Sequence, residues 1–68
     1  MYHITVRVVD PEILDRLYQS ILAIAPNTSR SRFRLEVDSD VPDSNTLSKI
    51  IAVAVDEFHA VIVQIERL

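Results

Sequence analysis

Three stretches of this chain follow a period of two, and in each the apolar side chains fall mainly on one side. Ile4, Val6 and Val8 alternate with His3, Thr5 and Arg7. Phe33, Leu35 and Val37 alternate with Arg32, Arg34, Glu36 and Asp38. Val61, Val63 and Ile65 alternate with Ile62, Gln64 and Glu66. A period of two marks β-strands with a single buried face. A sheet covered on both sides would need strands apolar on both faces. The helices of this chain are therefore expected on one side of the sheet only. The other side, carrying His3, Thr5, Arg7, Arg32, Arg34, Glu36, Ile62, Gln64 and Glu66, is expected to face water.

Two stripes at three- and four-residue spacing supply those helices. Asp10-Pro11-Glu12 has a capping carboxylate, a proline at the first helical position and an acid facing the positive end of the helix dipole. Leu14, Leu17, Tyr18, Ile21, Leu22 and Ala25 follow on one face, and Pro26 stops the run. Leu47, Ile50, Ile51, Ala54, Val55 and Phe58 form the second stripe, with Asp43, Ser44 or Asn45 as its cap. The helices are thus expected within residues 10–26 and 43–59. Asn27 to Ser31 reads as a polar loop, and Ser39 to Ser44 as an acidic, turn-rich one.

The resulting order is β-α-β-α-β, an α/β two-layer sandwich with both helices on one face of a small sheet. Right-handed crossovers favour parallel strands in the order 1-2-3. A ferredoxin-like plait, in which Asn27 to Arg32 adds an edge strand, is the alternative. At 68 residues the chain is read as a single domain, residues 1–68, with one small core.

Composition narrows function by exclusion. The chain contains no glycine, where average usage of about 7% predicts roughly five. Phosphate-cradling loops, dinucleotide fingerprints and nucleophile elbows all require glycine. Without cysteine there is no disulfide framework, thiolate metal site or thiol chemistry. A net charge of −3, with six Arg and one Lys, argues against a nonspecific nucleic-acid binder. The N-terminus lacks the basic and apolar regions of a secretory signal, and no apolar run approaches the ~20 residues that span a bilayer. A soluble, cytoplasmic protein without nucleic-acid or membrane partners is expected.

No constellation for chemistry stands out. His3 and His59 lie in no metal-binding or triad motif, and His59 suits the negative end of the second helix. Asp38, Asp40 and Asp43 lack the glycine and the final glutamate of a calcium loop. Arg30, Arg32 and Arg34 are the best basic feature, suited to a phosphate or carboxylate. Cross-strand pairing of Arg32 and Arg34 with Glu36, Glu66 or their neighbours is the preferred reading, because it is ordinary sheet chemistry, and Phe33 has core parity. No catalytic, cofactor-binding or metal residue is assigned, no cofactor is expected, and the chain is read as a non-enzyme.

The segment His3-Ile4-Thr5-Val6-Arg7-Val8-Val9, continuing through Asp10-Pro11-Glu12 to Leu17, resembles the opening of an ACT domain. Arg32 to Val37, with Asn45 to Ile65, resembles that family's final strand-helix-strand. The likeness is nearest to the short regulatory subunits of acetolactate synthase. It implies a small amino-acid-sensing or assembly module, with effectors near the first turn at a subunit interface, and so implicates Asp10.

Two functional readings follow. One is a non-catalytic regulatory or assembly module acting through self-association or a partner enzyme. The other is an artificial, de novo designed or purely structural fold with no evolved ligand. Self-association is expected through Ile62 on the polar sheet face, with Val9 and Leu68 at its margins. A symmetric homodimer joined edge to edge or face to face would bury these residues.

Overall fold

A computed structural model describes all residues, Met1 to Leu68. Strand β1 (Tyr2–Arg7) leads into helix α1 (Pro11–Ile24). A short strand β2 (Thr28–Ser31) and a longer β3 (Glu36–Val41) follow. Helix α2 (Ser44–Ala52) runs directly into a π-helical turn (Val53–Glu57), and β4 (Val61–Arg67) closes the chain. The sheet order is β2-β3-β1-β4 with every neighbouring pair antiparallel. Two strand-helix-strand units interlock: β1 and β2 flank β3, while β3 and β4 flank β1.

This is the two-layer α/β sandwich expected, in the plait arrangement held as the alternative. The expectation of three parallel strands in the order 1-2-3 is corrected. Thr-Ser-Arg-Ser contains no apolar residue to mark a strand, yet it pairs with β3 from Thr28↔Ser39 to Ser31↔Glu36. That extra edge strand turns the middle of the chain into a hairpin, and the antiparallel order follows.

Local chemistry sets both helix starts. The Asp10 carboxylate accepts the Glu12 N–H at 2.9 Å, and Asp43 accepts the Thr46 N–H at 2.7 Å. Each satisfies a backbone donor that the first helical turn leaves free. Ala25, the residue before proline, is extended at φ −134°, which ends α1 where sterics require it.

Absence of glycine shows at two turns. Leu35 at φ 57° and His59 at φ 54° occupy the left-handed region that glycine enters without steric cost. His59 follows the π-helical turn. Beside it the Ala60 N–H reaches back to the Ala54 carbonyl at 2.9 Å, closing that end.

Thirteen buried apolar residues form one cluster between sheet and helices, including Ile4, Val6, Leu14, Leu17, Ile21, Val37, Val41 and Ile50. At about 25 cal/mol per Å² of apolar surface removed from water, this layer is the main source of stability. The pattern departs from expectation at two places. Phe33, read as a core residue, is 97% exposed. The chain reverses across residues 32–35, so β3 begins only at Glu36. Ile62, read as facing water, is opposite Val6 and packs against the core. A bulge between Thr5 and Val6 in the β1–β4 register leaves Val63 as an extra residue, and parity inverts beyond it. Val61 consequently stands opposite Arg7 on the open face, 64% exposed.

Candidate functional site

The uncovered face of the sheet carries a connected polar network. On β1, His3, Thr5 and Arg7 share this face. Their partners in the register with β3 are Asp40, Asp38 and Glu36. Each pair is joined by side chains as well as by backbone. His3 Nδ1 lies 2.6 Å from Asp40 Oδ1, and the Thr5 hydroxyl donates to Asp38 Oδ1 at 2.5 Å. Arg7 Nε donates to Glu36 Oε2 at 3.1 Å, and Arg7 Nη2 meets the same oxygen. Asn27 adds a 3.4 Å hydrogen bond to Asp40 Oδ2.

Asp40 was expected in the acidic loop of residues 39–44, and Asp38 at the end of the strand before it. Both lie in β3, between Val37, Ser39 and Val41, which point to the helices. That reading is corrected, and the signal was available: Val37-x-Ser39-x-Val41 is itself a period-two run. Arg32 and Arg34 do not pair with Glu36 or Glu66 as the cross-strand reading held. Arg7 holds Glu36, while Arg30 and Arg32 reach Asp15 of α1 at 2.7 and 3.2 Å. Arg30 also lies over the Tyr18 ring, 4.6 Å from its centroid, a cation–π contact.

Electrostatics on the open face favour a charged imidazole. The hydrogen bond to Asp40 raises the His3 pKa above its ordinary value of 6.5. Partial burial opposes the rise, and the charges of Asp40 and Asp38 reinforce it. Asp43 moves the other way, held below the usual carboxylate range by the Thr46 N–H.

The arrangement has the outline of a hydroxyl–imidazole–carboxylate triad, but its bonds run elsewhere. Thr5 Oγ1 is 3.4 Å from His3 Nε2 and gives its proton to Asp38 at the shorter distance. A base that holds its own proton between two carboxylates is poorly placed to activate a hydroxyl. No set of three His, Asp or Glu side chains is arranged to hold a metal ion. Beside the network lies an open polar groove of about 590 Å³, lined by His3, Thr5, Ser31, Arg34, Glu36, Asp38, Val63 and Gln64. Most of its polar groups already answer one another.

Of the residues singled out from sequence, Asp10 caps α1 with the carboxylate that the ACT resemblance would offer to an effector. Val9 is 91% exposed and Leu68 60% exposed, while Ile62 lies on the helix side and so does not lie between them on an open patch. His59 is exposed at the left-handed turn before β4. No helix is long and apolar enough to cross a membrane. Comparison with known proteins finds no matching family model, curated protein or solved structure.

Proposed function

We propose that this chain is a non-catalytic assembly or regulatory module that works by contact with another folded surface, in the first place a second copy of itself. One observation carries the reading: Phe33 is held at 97% exposure at the tip of the β2–β3 hairpin. A fully exposed phenylalanine adds nothing to the core and leaves a large apolar area in water. Phenylalanine is among the residues enriched at protein interfaces relative to the rest of the surface. The open face supports the non-catalytic part of the reading, because its hydroxyl, imidazole and carboxylates are engaged with each other.

The resemblance to ACT domains, carried by residues 3–17, 32–37 and 45–65, is in keeping with this role. It further implies a small amino acid near Asp10. Sedimentation velocity of the full chain over a wide concentration range tests the assembly role. A mass that rises above the 7.7 kDa of one chain is expected. A sharp monomer throughout would favour the purely structural fold. A thermal-shift panel of amino acids tests the effector, since a ligand at about 100 times its Kd adds roughly 2.7 kcal/mol.

A further inference from the structure

The hairpin tip has a counterpart at the other end of the molecule. β3 runs from the tip, at Glu36, to Val41, and beyond it lies a recess of about 330 Å³. Met1, Ile24, Ala25, Pro26 and Pro42 give it apolar walls, and Asp40 lies in its lining. Asp43, exposed, follows Pro42. The tip has the opposite character: a protruding ring between Arg32 and Arg34, with no ion-pair partner for the Arg34 guanidinium.

We infer that the Arg32-Phe33-Arg34 tip of one copy seats in the recess walled by Met1, Ile24, Pro26 and Pro42 on the next, joining copies head to tail. This inference rests on the assembly reading above and specifies its interface. Size permits it, since an enclosed apolar cavity of about 150 Å³ is enough to hold benzene. Charge complements it at one point: seating Phe33 brings Arg34, which has no ion-pair partner, toward the exposed Asp43, while Arg32 stays with Asp15 and Asp40 with His3 and Asn27. The tip is also held in one shape. Leu35 accepts the Val8 N–H at 2.9 Å, and the Arg34 N–H donates to Ser31 Oγ at 3.2 Å. Little ordering remains to be done on binding.

Geometry then sets the kind of assembly. Tip and recess are different surfaces at opposite ends of the sheet, so the contact is heterologous. Such contacts produce rings or open filaments rather than a two-fold dimer. Ile62 turns inward, so a face-to-face homodimer would have to bury Val61 and Val63 on the open face in its place. An anionic membrane or a nucleic acid is less well matched, because Asp15 already occupies Arg30 and Arg32 and leaves Arg34 alone at the tip for a phosphate.

A complementation experiment tests the inference. Phe33→Ser removes the knob and leaves the recess. Asn27→Arg, at an exposed residue lining the recess, sets a long cation in its mouth and leaves the tip. Both substitutions are at exposed positions, and circular dichroism confirms that each variant is folded. In sedimentation velocity the wild type is expected to climb past twice the mass of one chain. Each variant alone is expected to associate at least about tenfold more weakly. Mixed in equal amounts they should form a complex that stops at two chains, one usable tip in one usable recess.

Wild-type association retained by Phe33→Ser would overturn the inference while leaving self-association standing, with the β4 edge as its seat. Two monomeric variants that fail to pair would overturn the head-to-tail geometry. A wild type that stays monomeric would overturn both readings. So would a monomer that binds phosphatidylserine vesicles or an RNA oligomer through Phe33.

Discussion

The two ends of the sheet solve different problems with similar apolar material. At the β2–β3 end the chain turns without glycine, accepts a left-handed leucine and leaves a phenylalanine in water. At the opposite end prolines and a capping aspartate close the turns, and the apolar side chains line a recess instead of protruding. The core between them is one continuous cluster. Apolar surface that the core does not use is thus sorted by shape, a knob at one end and a hollow at the other. The accompanying charges differ as well, arginines by the knob and aspartates by the hollow.

The largest expected effect separates the core from both ends. Ile21 is fully buried in the last turns of α1, next to the recess walls. Ile21→Ala should cost about 2–5 kcal/mol in urea unfolding. Phe33→Ser should shift the same midpoint by less than about 0.5 kcal/mol, since the side chain has no core contacts to lose. A large loss of stability in Phe33→Ser would mean that the tip packs within its own chain.

Next comes Arg7, near the tip end. Removing it in Arg7→Met leaves the Glu36 carboxylate, whose side chain is only 8% exposed, without its cation. The expected loss is about 1–3 kcal/mol, moderated because half of the Arg7 side chain is in water. Adding Glu36→Gln should recover much of it, and a double-mutant cycle measures the coupling.

Backbone conformation offers a smaller test with opposite signs at the two ends. His59→Gly relieves a left-handed, exposed position and should gain up to about 1 kcal/mol. Asn27→Gly, beside the recess at a position without positive φ, should lose about 0.4–1 kcal/mol through the unfolded chain.

The smallest effects are those of pH. A His3 pKa raised above 6.5 contributes stability in full below pH 6.5 and loses it as pH climbs through the folded value. Asp43, depressed below 3.8, contributes above that pH and loses its share as pH falls through the folded value. Imidazole NMR titration should place His3 above its ordinary range, and Asp40→Asn should bring it back down.

Much of this arrangement was legible in the residues. Asp10-Pro11-Glu12 marks the start of α1, and the apolar stripes mark which side of the sheet the helices cover. β2 carried no such mark, because its four polar residues become a strand only through pairing with β3. The turn at residues 32–35 was hidden for the opposite reason. Alternation runs without a break from Arg32 to Asp38, so periodicity places Phe33 in a strand although the chain reverses there. The bulge at Val63 is a register event between two strands, and a pattern read along one strand carries no trace of it. The polar network on the open face followed from these same points. His3 and Thr5 were correctly placed on that face, but their partners Asp38 and Asp40 became neighbours only once β3 extended to Val41.

The central claim is that the ends of the sheet, and not its open face, make the contact between copies. An amide NMR dilution series on the wild-type chain tests it most directly. Raising the concentration should move and broaden the signals of residues 31–35 together with those of residues 24–27 and 40–46, while Thr5, Arg7 and Gln64 stay in place. Changes confined to β4 or to the open face, or no change at any concentration, would contradict the account.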